Sequence, residues 1–418
     1  MSTSSWRRPP QGAQATDVLR KHRPDYWLLV IAACLLAIGL VVVYSISPAL
    51  SELRGGNYVQ HQVIAIILSI LAFLVTARVP LAVWRKWQWW LLGLAALGTF
   101  VALVIPPIPA YPQHRWIRLG GSFSLQSVEV LKFALLISVS GFLATRVQQG
   151  MIGNYRLTLK PLALAVGVIG IIVAFIQSDL GSAGVIVAMV MLMGFVAGMP
   201  MKRILLIGLV VVIGTFIAIS STPYRRARLA TYMHPENNCS TAAGHQACQA
   251  LIAVGSGGMI GLGLGKSVQA YGYLPEAQND SIFAIYAEKF GFIGSTVLLS
   301  LFVMLFARLR LILERAPDVF SRLVVAGVLA WLSTQAIINI GAMIGLLPLK
   351  GITLPLISYG GTSVLFVGAA LGLVFQVSHY TKFHSRFIPK GRNRDGYERS
   401  PDRRRVGRTY HAGLSSRT

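Results

Sequence analysis

The chain has 418 residues, 54% of them hydrophobic and only 12% charged, with a formal net charge of +24 and a mean hydropathy of +0.63. A soluble fold cannot hide that much apolar surface, so the composition excludes a soluble globular protein and implies a polytopic membrane protein. The positive charge lies largely in the tail after His379 and in short loops between apolar runs; that distribution suits cytoplasmic loops beside anionic lipid and argues against a nucleic-acid partner.

The first 25 residues form a polar, basic N-terminal tail without a cleavage-type signal pattern, so no removed signal peptide is expected. Apolar runs of spanning length then fall near 26–46, 60–77, 87–105, 130–145, 160–176, 180–198, 204–221, 282–306, 322–344 and 357–379. The expected fold is therefore an all-α polytopic membrane domain over 26–379, with ten transmembrane helices. A long extracytoplasmic loop, 222–281, lies between helices 7 and 8. The tail from 380 to 418 is rich in Arg, Gly and Ser, and disorder is its default reading. No repeat of 20–50 residues is visible.

Lys and Arg in the short loops set the orientation. The N-terminal tail, the loops carrying Arg78, Arg85 and Lys86, Arg146, Arg156 and Lys160, Lys202 and Arg203, and Arg308 to Arg322, and the C-terminal tail all fall on one side if there are ten spans. Both termini are thus expected in the cytoplasm. Trp87, Trp89 and Trp90 in "RKWQWW" suit an interfacial belt. Cys34 lies in the first apolar run, where a buried small residue is the ordinary reading. Cys239 and Cys248 share the long loop and can pair if that loop lies outside.

An ionised side chain at the centre of a span costs roughly 2.5–3.5 kcal/mol, so each one asks for a partner or a purpose. In "LQSVEVLKF", Gln126, Glu129 and Lys132 recur every three residues and share one helix face. They form either a self-neutralising pair or the polar wall of a cavity. Asp179, in the turn Gln177-Ser178-Asp179, is placed to cap the sixth helix. "GSGGMIGLGLGKS" (255–267) resembles a phosphate loop but has Ile260 where a Walker motif needs glycine, so close backbone packing or re-entry into the membrane surface is expected instead. Glu276 follows Pro275 and reads as a loop acid. Asp280, just before Ser281-Ile282-Phe283, serves as N-cap, as catalytic base, or as both. Glu288 shares a helix face with it, about 12 Å along the axis.

Four segments, taken in order, resemble the FtsW/RodA (SEDS) family of cell-wall polymerases: "RWIRLGGSFSLQSVEVLK" (115–132), "QSDLGS" (177–182), "SGGMIGLGLGKSVQAYGYLPEAQNDSIFAIYAEKFGFIG" (256–294) and "GLLPLKGITLPLISYGGTS" (345–363). Lys350-Gly351 is closer to the FtsW, division-type branch. The chain departs from the family pattern: Gln-Pro-Ser-Glu reads Gln126-Ser127-Val128-Glu129, Gln-Pro-Asp reads Gln177-Ser178-Asp179, His-Thr-Asp-Phe reads Gln278-Asn279-Asp280-Ser281, and Glu-Glu reads Glu288-Lys289.

The resemblance implies a peptidoglycan glycosyltransferase that joins lipid II into glycan strands at the outer face of the bacterial cytoplasmic membrane, in cell division. It implies Asp280 as the base, with Lys132, Arg115 and Arg118 facing the pyrophosphate; Arg225, Arg226 and Arg228 offer further cations or interface anchors. Glu129, Asp179 and Glu276 would line the sugar site, with Gln126, Glu288, Lys350 and Ser358 also around the substrate. Ser358-Tyr359-Gly360-Gly361 reads as a helix break at the site. A divalent cation, Mg or Mn, is inferred only from the pyrophosphate, because the sequence has no metal-ligand spacing. Implied partners are lipid II, the undecaprenyl-linked glycan strand, a class B penicillin-binding protein transpeptidase and other divisome membrane proteins. Two other readings stay open: a flippase of lipid-linked precursor, and a structural divisome scaffold.

Overall fold

With no water in a bilayer core to satisfy backbone N–H and C=O groups, an apolar run must satisfy them internally, and a helix does so. The structure, a computed structural model, describes residues 20–21, 23–105, 115–120, 123–220, 223–233 and 239–381; these belong to one unit, Val18–Lys382. The expected tail from 382 onward lies outside the described residues.

A helix stands over each apolar run. They are α1 (Tyr26–Arg54), α2 (Tyr58–Arg78), α3 (Leu81–Val104), α4 (Ser127–Gln148), α5 (Lys160–Ile171), α6 (Leu180–Val196) and α7 (Met201–Ser220). After α8 (Pro223–Met233) and α9 (Ala242–Ser256) come α10 (Ile282–Arg315), α11 (Val319–Met343) and α12 (Gly361–Ser378). Among the described residues, eight helices are long and apolar enough to cross a membrane, with α5 extended by π-helical turns at both ends; α6, at 17 residues, is apolar but shorter. The chain is a multi-pass membrane protein.

The 222–281 segment is not the plain loop expected. Its low hydropathy hides α8 and α9, and α9 packs on α10. Cys239 and Cys248 are bonded to each other. Cys34 is also a correction: it is exposed on the outer face of α1. Trp87, Trp89 and Trp90 are exposed, as an interfacial belt requires.

Burial is graded across the bundle. The best apolar stretch of α4 is 83% buried, against 17% for α3. α4, α11 and α12 form the inner helices; α1, α2, α3, α5 and α10 keep broad exposed apolar faces. α2 lies along α12 where Gly368 and Gly372 admit Ser69 and Thr76, and the Ser69 hydroxyl donates to the Val364 carbonyl at 2.8 Å. A two-stranded hairpin, Trp116–Gly120 with Phe123–Gln126, leads directly into α4.

The glycine-rich stretch is a backbone dock. α10 breaks at Gly291, where φ is 64° and ψ is −162°. The freed groups meet the 257–263 loop: Leu262 N donates to Glu288 O, Gly263 N to Lys289 O, Phe292 N to Gly258 O and Ile293 N to Met259 O, all at 2.9–3.0 Å. A side chain at Gly291 would stand 2.7 Å from the Met259 carbonyl in a backbone region that L-residues avoid. Gly291→Ala is therefore expected to destabilise the purified protein by more than about 1 kcal/mol, read as a lower melting temperature. Gly98→Ala, inside α3 at a site with nothing within 4 Å, should not lower melting.

Candidate active site

On α11, Trp331, Gln335 and Asn339 recur every four residues, so they share a face. All three are at most 2% exposed. Buried amides need partners, and these find theirs in residues 345–360, which form neither helix nor strand. Gln335 Nε2 donates to the Thr353 carbonyl at 2.9 Å and to Thr353 Oγ1 at 3.1 Å. Asn339 Nδ2 donates to the Ile352 carbonyl at 2.6 Å and to the Asp280 carbonyl at 2.7 Å. One helix face thus holds the re-entering segment and the turn that carries Asp280.

The same face receives the α4 pair. Lys132 Nζ lies 2.7 Å from Glu129 Oε1 and 3.3 Å from Gln335 Oε1, and it sits 4.9 Å from the centroid of the Trp331 ring. Trp331 Nε1 donates to Gln335 Oε1 at 2.8 Å. Glu129 Oε2 has no hydrogen-bond partner among the described residues. Because Gln335 and Asn339 are one turn apart, the Glu129–Lys132 pair and the Asp280 turn anchor about 6 Å apart along α11.

Asp280 is not the helix cap. Ser281 occupies the N-cap of α10, and no side chain caps the first turn. The Asp280 carboxylate is half-buried, and its Oδ1 accepts from Gln246 Nε2 of α9 at 3.3 Å. Asn279 N and Ser281 N both donate to the Glu276 carbonyl, and Asn279 Nδ2 donates to Glu276 Oε2, so Glu276 shapes the turn that presents Asp280. Ser358 Oγ donates to the Asn279 carbonyl at 2.6 Å and accepts from Leu354 N, while Tyr359 N donates to the Gln278 carbonyl. The helix break at Ser358–Gly361 is thereby satisfied by protein, as a break at this depth must be. Half-buried Lys350 and exposed Gly351 lie on the same segment.

A second cluster closes the far side. Asp179 is the N-cap of α6, accepting from Ser182 N and Ser182 Oγ at 2.9 Å. Arg115 donates to the Gln177 carbonyl at 2.7 Å and to that of Ser178, with Nη1 3.9 Å from Asp179 Oδ2. Gln177 Nε2 donates to Ser127 Oγ, and Ser127 N donates to the Arg115 carbonyl at 3.1 Å. Ser127 stands where the family pattern has proline, which could not make that bond. Ser178 also replaces a proline, and its φ of 54° is closed to proline. Gln126 joins through its backbone, donating to Thr362 Oγ1 at 3.3 Å. Gly181 packs against Ile352 and the Lys350 carbonyl, so this cluster abuts the 345–360 segment.

Two expected site residues lie elsewhere. Glu288 is fully buried, and its carboxylate accepts from Ser267 Oγ, Val268 N and Gln269 N; its neighbour Lys289 donates to the Leu264 carbonyl at 2.8 Å. The two clamp the glycine-rich loop. Arg225 donates to the Ala174 carbonyl, in the last turn before Gln177, and lies over Phe175, which is an anchoring role. The side chains of Arg118 and Arg228 lie outside the described residues. Among the described residues no three His, Cys, Asp or Glu side chains gather as a metal site.

Gln335, Asn339, Trp331, Thr353 and Gln246 were not singled out in the sequence. The legible signal for the first two was a pair of amides four residues apart inside an apolar run.

The family model for the FtsW, RodA and SpoVE cell cycle proteins matches residues 26–383. Stage V sporulation protein E of Bacillus subtilis is 35% identical over 373 residues, covering 87% of this chain and 99% of its own length. The probable peptidoglycan glycosyltransferase FtsW of Saccharophagus degradans is 38% identical over 368 residues, 85% of this chain and 93% of its own. Among solved structures, a chain from a peptidoglycan synthase complex, studied for how polymerization and crosslinking are coordinated, superimposes with a TM-score of 0.69 at 25% identity, covering 85% of this chain and 97% of that one. The Thermus thermophilus rod shape determining protein RodA gives 0.59 at 25% identity, covering 85% and 96%. The chain belongs to the FtsW/RodA/SpoVE family.

Removing one partner of a buried ion pair strands the other, at a cost of about 3–5 kcal/mol. Lys132→Met should therefore lower the melting temperature markedly. The double variant Glu129→Gln/Lys132→Met, which removes both charges, should recover most of the loss.

Proposed function

We propose that this member of the FtsW/RodA/SpoVE family is a peptidoglycan glycosyltransferase, joining lipid II into glycan strands with Asp280 as general base. The observation that carries the reading is the placement of Asp280 just before α10, where Asn339 Nδ2 donates to its backbone carbonyl and Gln246 Nε2 donates to its carboxylate, while Ser281 holds the N-cap position. The relatives named peptidoglycan glycosyltransferase support the reaction class.

In this mechanism the acceptor sugar's hydroxyl oxygen attacks the anomeric carbon of the donor. The carbon–oxygen bond to the lipid pyrophosphate breaks, and the hydroxyl proton passes to Asp280. Lys132 supplies positive charge toward the leaving group, held in place by Glu129 and Gln335. Glu129 Oε2, which has no partner among the described residues, accepts from a sugar hydroxyl. Arg115 and Asp179 act by fixing the 177–179 turn that borders the site. A divalent cation, where one takes part, would arrive with the pyrophosphate, since no group of three ligating side chains gathers among the described residues; no step above depends on it.

The site faces the outside of the cytoplasmic membrane, with both termini in the cytoplasm. The alternation of basic loops supports this orientation, and so does a disulfide in the 222–281 segment. The partner is a class B penicillin-binding protein, a proposal supported by the likeness to a chain of a peptidoglycan synthase complex. The relatives named FtsW favour a role in division.

The purified protein with its partner should polymerise lipid II, and Asp280→Asn should lose roughly 10²-fold or more in rate while melting normally. Equal polymerisation by a folded Asp280→Asn would remove Asp280 as base. A wild type that forms no strands yet carries precursor across vesicles would instead be a transporter.

A further inference from the structure

The long segment before α10 contributes one amide to the Asp280 turn. Gln246 lies in the second turn of α9, 34 residues before Asp280. Its Nε2 has two hydrogens and two acceptors: Asp280 Oδ1 at 3.3 Å and Ser281 Oγ at 3.0 Å. The Ser281 hydroxyl donates its own proton to the Pro275 carbonyl at 3.0 Å, so toward Gln246 it can only accept. That fixes which end of the Gln246 amide faces the turn. The nitrogen end meets the carboxylate, so the amide donates to Asp280 Oδ1.

Ser281 is one of this chain's departures, standing where the family pattern has phenylalanine, which could not orient an amide in this way. The placement of Gln246 is also imposed from its own side. Thr241 caps α9 by accepting from Gly244 N at 3.1 Å, and the Cys239–Cys248 bond closes a ring that contains Gln246. The ring ties the residues before α9 to its second turn, limiting how far the amide can swing. α9 itself lies against α10.

We infer that Gln246 is a positioning residue for the reaction: its amide, oriented by Ser281 and held by the Cys239–Cys248 ring, aims the Asp280 carboxylate at the acceptor hydroxyl. This rests on the reading of Asp280 as the base. Gln246 touches the base and not the reacting sugar atoms. Its loss should therefore depress turnover and leave lipid II binding nearly unchanged.

The test uses the full-length protein with its partner and compares wild type, Gln246→Glu, Gln246→Met and Asp280→Asn in lipid II polymerisation, with melting measured for each. Gln246→Glu keeps the shape and removes the donor; Gln246→Met keeps the bulk with neither donor nor charge. The expected result is a kcat lowered at least about tenfold in both Gln246 variants, within the ~10²-fold that misplacing a reacting group costs, and a KM for lipid II within about twofold of wild type. A purely structural role would lower melting or shift both constants together, and that result overturns the inference. Wild-type kcat in folded Gln246→Met, with Asp280→Asn inactive, overturns the inference while sparing the base. Full activity in folded Asp280→Asn overturns both.

Discussion

The structure depends on one constraint: backbone that leaves the helical path inside a membrane bundle must find its hydrogen bonds in protein. Residues 345–360 leave that path, and two amides on one face of α11, Gln335 and Asn339, take up carbonyls of Thr353, Ile352 and Asp280. The rest of the site is arranged around that seam. The α4 pair reaches it through Lys132 and Gln335, α12 through Ser363 and Thr353, and the 276–281 turn through Ser358 and Asn339. Neither amide makes a bond to substrate chemistry in this account. Their work is to keep a non-helical segment and a reactive carboxylate in fixed register on the same helix.

The same constraint explains the charges that the reaction does not use. Gly291 breaks α10, and the glycine-rich loop answers the freed groups strand-fashion. Glu288 gathers three donors of the 267–269 turn, and Lys289 takes the Leu264 carbonyl. Two ionisable residues inside an apolar run, costly alone, become the fasteners of one loop. Replacement of the family's second glutamate by Lys289 fits this, because a carbonyl needs a donor.

Much of the fold was legible because hydropathy and length set where helices must stand, and all ten apolar runs carry one. Local devices were legible too. The spacing of Glu129 and Lys132 offered their pairing as one of two readings, the turn before α6 offered Asp179 as a cap, and the glycines of 255–265 offered close backbone packing beside membrane re-entry; the structure shows the pair, the cap and the close approach. Contacts between distant segments were not. Gln246 and Asp280 are 34 residues apart, and Gln335 is 203 from Lys132; no local pattern joins them. The helices within 222–281 were hidden because α8 is polar and short, so hydropathy passes over it. Cys34 was misjudged because an apolar run does not say which of its faces meets lipid. The cap-or-base ambiguity at Asp280 needed the backbone, which gives the N-cap to Ser281.

The hold of the α11 amides on Asp280 keeps the carboxylate in its working position. Its most direct test is the rate of lipid II polymerisation by Asn339→Leu, which loses the bonds to the Asp280 and Ile352 carbonyls. The expected protein still folds and binds its partner but polymerises at least about tenfold more slowly, as a misplaced base would. Wild-type polymerisation by folded Asn339→Leu would contradict it.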